Sequence, residues 1–105
     1  MKLVIIETPY AGNIEENIKY ARECMRDSLS RGEAPFASHL LYTQDGILDD
    51  EVQEERKAGI EAGLKWGEKA DKTIVYTDLG ISKGMEYGIE TAKKLCRQIE
   101  YRSIL

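Results

Sequence analysis

Short runs of apolar, mostly β-branched residues alternate with longer amphipathic segments along the whole chain. Residues 3–6 (LVII) form a continuous apolar run, which is typical of a strand covered by helices on both faces. Residues 73–77 (TIVYT) have the same character. This alternation predicts an α/β fold with a parallel sheet, because each helix must return the chain to the same end of the sheet.

The pattern predicts the element order βαβαβαβ. Asn13 can cap the first helix, with Glu16 three residues later, and Gly32 can end it. We expect a three-layer Rossmann- or flavodoxin-like domain with a four-stranded parallel sheet in the order 2-1-3-4. That order opens a crevice between strands one and three at their carboxyl ends, where ligands bind in such folds. The predicted strands are residues 2–7, 34–41, 73–77 and 99–102, and the predicted helices are residues 13–32, 50–66 and 85–95.

Length and charge restrict the classes of function. A chain of 105 residues suits one domain, so we predict a single domain over residues 1–105. A net charge of −4 leaves no basic excess to neutralise nucleic acid. No apolar run approaches the roughly 20 residues that cross a bilayer, so we predict no membrane contact and a cytoplasmic location.

The two cysteines and the single histidine give no sign of a metal site, and Trp66 is expected to be a packing residue. Cys24 and Cys96 fall on apolar faces of predicted helices, which favours small buried hydrophobic residues over a disulfide or a metal pair. There is one histidine in the chain, so we predict neither a metal nor another cofactor. Trp66 is predicted to lie on the packing face of the second helix.

The turn after strand one is the first segment expected at the crevice. Pro9, Tyr10, Gly12 and Asn13 lead into a helix N-terminus, whose free N–H groups and dipole favour an anion. Tyr10 offers a ring that can stack on a base. An ordinary strand-to-helix turn is the alternative interpretation, because the spacing matches no dinucleotide or P-loop motif.

Ser38 and His39 follow strand two and are expected at the same crevice. His39 can bind a phosphate or hydroxyl, or act as an acid or base near neutral pH. A purely structural histidine is the alternative.

The third segment opens the third predicted helix with Ser82, Gly84, Met85 and Glu86. Ser82 supplies either a ligand contact or the helix N-cap. Glu86 is the candidate catalytic carboxylate, since a helix N-terminus favours the ionised form that attacks an anomeric carbon. A glutamate that only complements the helix dipole is the alternative. Glu90 lies one turn further on the same face.

Three motifs carry a family resemblance. Residues 8–13 (TPYAGN), 35–41 (PFASHLL) and 80–85 (GISKGM) together resemble the nucleoside 2-deoxyribosyltransferase-like superfamily. They look closest to a small branch that is common in phages and prophages. The resemblance covers nearly the whole chain and implies a nucleoside or nucleotide as ligand.

The resemblance also implies an activity and a set of residues. Enzymes of this superfamily cleave an N-glycosidic bond through a glutamate nucleophile on the third helix. Alignment on the preceding glycine places that residue at Glu86, whereas alignment on the last strand places it at Gly88. The sugar-binding aspartate of the family falls at Gly63, so this chain lacks it.

Two nucleotide-related functions remain open from the sequence, beside a structural or interaction domain whose crevice is vestigial and binds no nucleotide. One is a nucleoside or nucleotide N-glycosidase or deoxyribosyltransferase with Glu86 as the nucleophile. The other is a binding protein without turnover, such as a phage anti-defence sponge that sequesters a nucleotide immune signal. The resemblance implies a homodimer or larger homo-oligomer. The predicted ligand-binding residues are Pro9, Tyr10, Gly12, Asn13, Ser38, His39, Ser82, Gly84 and Met85.

Overall fold

One four-stranded parallel sheet forms the centre of the protein in the computed structural model, which describes residues 1–105. Its strands lie in the order β2-β1-β3-β4, as the sequence predicted. The direction of chain progression therefore reverses between β1 and β3, which pair directly. The strands are β1 (Leu3–Glu7), β2 (Ala34–Phe36), β3 (Lys72–Tyr76) and β4 (Gln98–Arg102).

Four helices connect the strands. The first begins as predicted, because the Asn13 side chain accepts a hydrogen bond from the Glu16 N–H (3.3 Å) and donates one to the Glu16 carboxylate (2.9 Å). Gly32 follows the helix with a φ of +79°, a left-handed conformation that glycine adopts without strain. The helices are α1 (Ile14–Ser30), α2 (Ser38–Leu41), α3 (Gln53–Gly67) and α4 (Lys83–Lys94).

The two faces of the sheet carry different helices. Tyr20 and Cys24 of α1 pack in one core cluster with alternate residues of the strands, namely Val4, Ile6, Ile74 and Tyr76. Met85 and Ile89 of α4 pack on the opposite face, against Val75 and Ile99. Because strand side chains alternate between faces, Ile5 and Glu7 of β1 point to the α4 side. The result is the predicted three-layer arrangement.

Strand two is shorter than predicted. It ends at Phe36, and residues 38–41, which we expected to extend it, form the helix α2. The backbone here forms local hydrogen bonds in place of strand pairing, since the Ala37 carbonyl accepts hydrogen bonds from the N–H groups of Leu40 and Leu41. β2 is also an edge strand whose Pro35 has no N–H to donate, which limits pairing. The element order is therefore βαβααβαβ.

Two packing predictions were wrong. Cys96 lies beyond the end of α4, exposed, with a φ of +54°, because the chain turns there towards β4. Trp66 is 61% exposed. It lies in the last turn of α3, and one side of its ring meets Phe36 of the edge strand at a centroid distance of 5.8 Å. Cys24 is buried, as predicted.

A buried charge cluster joins the end of α1 to the sheet. Both carboxylate oxygens of Glu33 accept hydrogen bonds from the Arg102 guanidinium, at 2.7 and 2.6 Å. The Ser28 hydroxyl donates to the same carboxylate at 2.8 Å, and the Lys72 ammonium lies 3.3 Å away. Every oxygen of this buried carboxylate therefore has a partner, as buried charges require.

Candidate functional site

A cleft of about 120 Å³ lies between α3 and α4, over β1. Strand β1 contributes Ile5 and Glu7 to its lining, and Phe36 and Ser38 come from β2 and α2. Tyr87 of α4 adds a second aromatic ring. The cleft lies on the α4 side of the sheet, beside the β1–β3 pair where chain progression reverses.

Glycines form the helical walls of this cleft. Gly63 and Gly67 are one turn apart on α3, and Gly84 and Gly88 are one turn apart on α4, so each pair lies on one helix face. A Cβ atom at Gly63 would lie 2.8 Å from the Cβ of Ser38. The position where the resemblance expects a sugar-binding aspartate is therefore closed to any side chain by α2.

Gly88 is closed by a different group. A Cβ atom built there would lie 2.7 Å from Oε1 of Glu7 and closer still to Oε2. The Glu7 carboxyl thus occupies the space that a side chain at position 88 would need. One alignment of the sequence places the family nucleophile at this position, and here the carboxyl group comes from β1 instead.

Glu7 has an unusual environment. Its side chain makes no hydrogen bond or ion pair within the chain, and the opposite charge that affects it is the guanidinium of Arg97. Burial raises the pKa of the Glu7 carboxyl to about 8, and the Arg97 charge opposes this shift only in part. Glu7 is therefore mostly protonated at neutral pH, so it can donate a proton or a hydrogen bond.

Two hydrogen bonds fix the Arg97 side chain in the cleft. Its guanidinium donates to Oγ1 of Thr73 at 3.0 Å and to the carbonyl oxygen of Gly67 at 2.8 Å. Burial lowers its pKa, and Glu7 raises it. Arg97 stays charged at neutral pH despite the lowered pKa, because the unperturbed pKa of arginine is so high. The cleft thus holds one positive charge and one protonated carboxyl.

Sequence reasoning missed both of these residues. Glu7 is the last residue of the predicted first strand, and Arg97 belongs to none of the predicted motifs. The available signal for Glu7 was a charged residue at the end of an apolar strand in a sheet covered on both faces. Such a residue needs a partner or a function.

The predicted catalytic residue, Glu86, lies outside the lining of this cleft. It is exposed in the first turn of α4, where it complements the helix dipole. Glu90, one turn further, is also exposed and pairs with Lys93 at 3.7 Å.

Ser82 and Met85 form the start of α4. The Ser82 hydroxyl accepts from the Met85 N–H at 3.2 Å and is therefore the helix N-cap. The Ser82 N–H in turn donates to the Met85 sulfur at 3.4 Å. Met85 is 1% exposed and packs in the core, whereas Gly84 lines the cleft.

The turn after β1 is organised by asparagine side chains. Asn17 donates to the carbonyl oxygens of Tyr10 and Ala11, at 2.9 and 3.1 Å. Gly12 has a φ of +99°, which requires glycine at this turn. Asn13 already caps α1, whose first turn carries Glu15 and Glu16, so the local charge opposes an anion. Pro9 is buried beside this turn.

His39 lies beside the same turn. Its Nε2 atom forms a hydrogen bond with Oγ1 of Thr8 at 2.9 Å, and its ring meets the Tyr10 ring edge-on at 5.7 Å. Burial lowers the pKa of His39 to about 4, with Asp50 opposing the shift. The imidazole is therefore neutral at pH 7, which favours a structural or hydrogen-bonding role over proton transfer.

A second, smaller cleft of about 60 Å³ adjoins His39. Ser38 and Ile60 line both this cleft and the larger one. The predicted site residues thus form separate groups. Ser38 and Gly84 line the cleft between α3 and α4, and Ser38 and His39 line the smaller cleft. Tyr10 lines a third cleft, of about 570 Å³.

Two classes of site find no support in the side-chain arrangement. No group of three His, Cys, Asp or Glu side chains is placed to hold a metal ion. None of the helices combines the length and apolar character that crossing a bilayer requires.

Comparison with known proteins gives a fold and a family. A 2-deoxyribosyltransferase from the psychrotolerant bacterium Bacillus psychrosaccharolyticus is similar in structure, with a TM-score of 0.68 and 16% sequence identity. The similarity covers 96% of this chain and 72% of that one, and it confirms the predicted fold. The sequence matches no curated protein. The family model "Domain of unknown function (DUF7768)" matches residues 2–102, so the chain belongs to that family.

Proposed function

We propose that the protein binds a nucleoside or nucleotide in the cleft between α3 and α4 and cleaves its N-glycosidic bond. The cleft itself carries this proposal, because a carboxyl group, a guanidinium and two aromatic rings converge there beside the β1–β3 pair. Ligands of open α/β sheets bind where chain progression reverses between neighbouring strands.

The lining suits the parts of a nucleoside. The rings of Phe36 and Tyr87 offer faces for a base, and Arg97 offers donors to a phosphate or to a sugar hydroxyl. The glycines let the ligand approach the helix backbones closely. Ser38, at the mouth shared with the second cleft, adds a hydroxyl.

The 2-deoxyribosyltransferase likeness supports the same ligand class by analogy of fold. The family resemblance in the sequence motifs points the same way. Glu86, predicted from those motifs as the nucleophile, lies outside the cleft lining, so its action at the anomeric carbon stays a prediction.

A second candidate is a protein that binds the ligand without turnover, for example a phage sponge for a nucleotide immune signal. One observation favours it: glycines stand at positions 63 and 88, where the resemblance expects the sugar-binding aspartate and, in one alignment, the nucleophile. Loss of such orienting groups reduces catalysis more than binding.

One experiment separates the two candidates. Purified protein is incubated with 2′-deoxynucleosides, their 5′-monophosphates, cyclic nucleotides and ADP-ribose, then denatured, and the mixture is analysed by mass spectrometry. Free base that accumulates with time supports the glycosidase. Intact nucleotide that copurifies through gel filtration, without free base, supports the sponge. Neither free base nor bound nucleotide would refute both.

A further inference from the structure

We propose that Glu7 is the catalytic acid of this cleft, and that it protonates the departing base. The inference rests on the proposed cleavage of an N-glycosidic bond and names the group that assists it. Its basis is the placement of the Glu7 carboxyl on the cleft floor, against Gly88 and facing Arg97.

The first step is position. The Glu7 side chain leaves the last residue of β1 and reaches the space beside α4 that a Cβ at Gly88 would otherwise fill. The opposite wall is also bare at Gly63. The carboxyl is thus the acidic group of this cleft, and a ligand between the two helices would lie against it.

The second step is the absence of an internal partner. No fully buried side-chain nitrogen or oxygen in the chain lacks a hydrogen-bond partner, so the unpaired Glu7 oxygens are reached from solvent through the cleft. Glu7 has no such partner, although its oxygens lie beside a cleft that a ligand can enter. An unpaired titratable group in a cleft is a signature of function.

The third step is its protonation. The charged and titratable groups around the carboxyl are Arg97, from the turn between α4 and β4, and Tyr87, from α4. The lining residues that α3 and the β2–α2 segment contribute are uncharged. Burial therefore dominates over the single positive charge, and the carboxyl holds its proton at neutral pH.

The chemical step follows from these properties. The bond between the anomeric carbon and the base nitrogen breaks, and its electron pair stays with the base, which takes the Glu7 proton. A water molecule forms the new bond to the anomeric carbon and returns its proton to the Glu7 carboxylate. The products are free base and free sugar or sugar phosphate, and Glu7 ends protonated as it began.

Glu7→Gln is the decisive variant, because an amide has the shape and hydrogen-bonding capacity of the protonated acid but cannot transfer its proton. Glu61→Gln, an exposed glutamate on α3 that pairs loosely with Lys57, is the matched control. Glu86→Gln tests the rival carboxylate. The probe is a mixture of 2′-deoxynucleosides and their 5′-monophosphates, with base release measured by chromatography and binding by equilibrium dialysis.

We expect Glu7→Gln to lower base release by about 100-fold or more, as loss of a general acid does. Dissociation constants should stay within about threefold of wild type, since the donated hydrogen bond survives. Wild-type kcat/KM should fall as pH rises through about 8, where Glu7 loses its proton. Glu61→Gln should match wild type throughout.

Two outcomes would overturn the assignment in different ways. If wild type releases base and Glu7→Gln does so at a similar rate, Glu7 is not the acid, while the proposed function stands. A loss confined to Glu86→Gln would transfer the role to that residue. If wild type itself releases no base, the proposed function fails and the role of Glu7 fails with it.

Discussion

Two glutamates are withdrawn from solvent, Glu33 in the core and Glu7 beside a cleft, and their environments are opposite. Glu33 accepts hydrogen bonds from Arg102 and Ser28 and lies beside Lys72, and these partners lower its pKa to about 2. Glu7 has no hydrogen bond, and burial raises its pKa to about 8. The first carboxylate is ionised at neutral pH and the second is mostly protonated.

The difference separates a structural acid from a candidate functional one. Glu33 links the end of α1 to β3 and β4, so its charge is used inside the fold. Glu7 faces a cleft, and its side chain makes no hydrogen bond or ion pair that joins elements. The two should therefore respond to mutation and to pH with opposite signs.

The largest effect is expected for Glu33→Ala. This change leaves the Arg102 guanidinium, whose side chain is 6% exposed, without its bidentate partner. Removing one member of a buried ion pair costs about 3–5 kcal/mol of unfolding free energy. Urea denaturation monitored by circular dichroism measures the loss.

Glu68→Ala serves as the matched control, since Glu68 pairs with Lys65 at the surface with both side chains at least half exposed. Exposed pairs contribute about 0–1 kcal/mol, so this variant should unfold almost like wild type. Equal losses in both variants would mean that the Glu33 cluster does not stabilise the fold.

A smaller effect of the opposite sign is expected for Glu7→Gln. The folded-state pKa of Glu7 is raised from 4.5 to about 8, so wild type must take up a proton on folding at pH 7. Its stability therefore falls as pH rises from 4.5 and levels off above 8. Each pKa unit is worth about 1.4 kcal/mol, so Glu7→Gln should be more stable than wild type by about 3 kcal/mol at pH 7.

The pH dependence of that difference is the sharper observation. The stability advantage of Glu7→Gln over wild type should shrink towards zero as pH falls to 4.5. There the Glu7 carboxyl is protonated in the folded chain and largely protonated in the unfolded chain as well, so folding takes up little proton. Glu33 behaves inversely: its lowered pKa adds stability above pH 4.5 that is lost as pH falls through 2. A Glu7→Gln variant that is less stable than wild type at pH 7 would contradict the protonated state.

The sequence predicted the sheet order and the three layers because both depend on patterns. Apolar runs and helical periodicity locate the elements, and right-handed crossovers then leave few topologies. Residues 38–41 were missed as a helix, because a short apolar run carries no clear periodicity. Cys96 was misplaced because the end of α4 depends on one left-handed residue.

The cleft was harder to predict than the fold. Several of its wall residues are glycines, which give no chemical signal, and Glu7 and Arg97 lie 90 positions apart in the sequence. The sequence motifs instead indicate the helix N-terminus, where Ser82 and Glu86 lie. A serine N-cap and a glutamate in the first turn also stabilise an ordinary helix start. The local sequence therefore could not distinguish a helix cap from a ligand site.

The smallest expected effect tests the contact between Glu7 and Gly88 directly. In a Glu7→Ala background, Gly88→Ala should stabilise the protein by about 1 kcal/mol, the helix propensity of alanine over glycine. In the wild-type background the new methyl group must displace the Glu7 carboxyl, so this gain should vanish or reverse. A double-mutant cycle measured by urea denaturation isolates the difference. Equal effects in both backgrounds would mean that the carboxyl does not occupy that space, and the contrast with Glu33 would lose its structural basis.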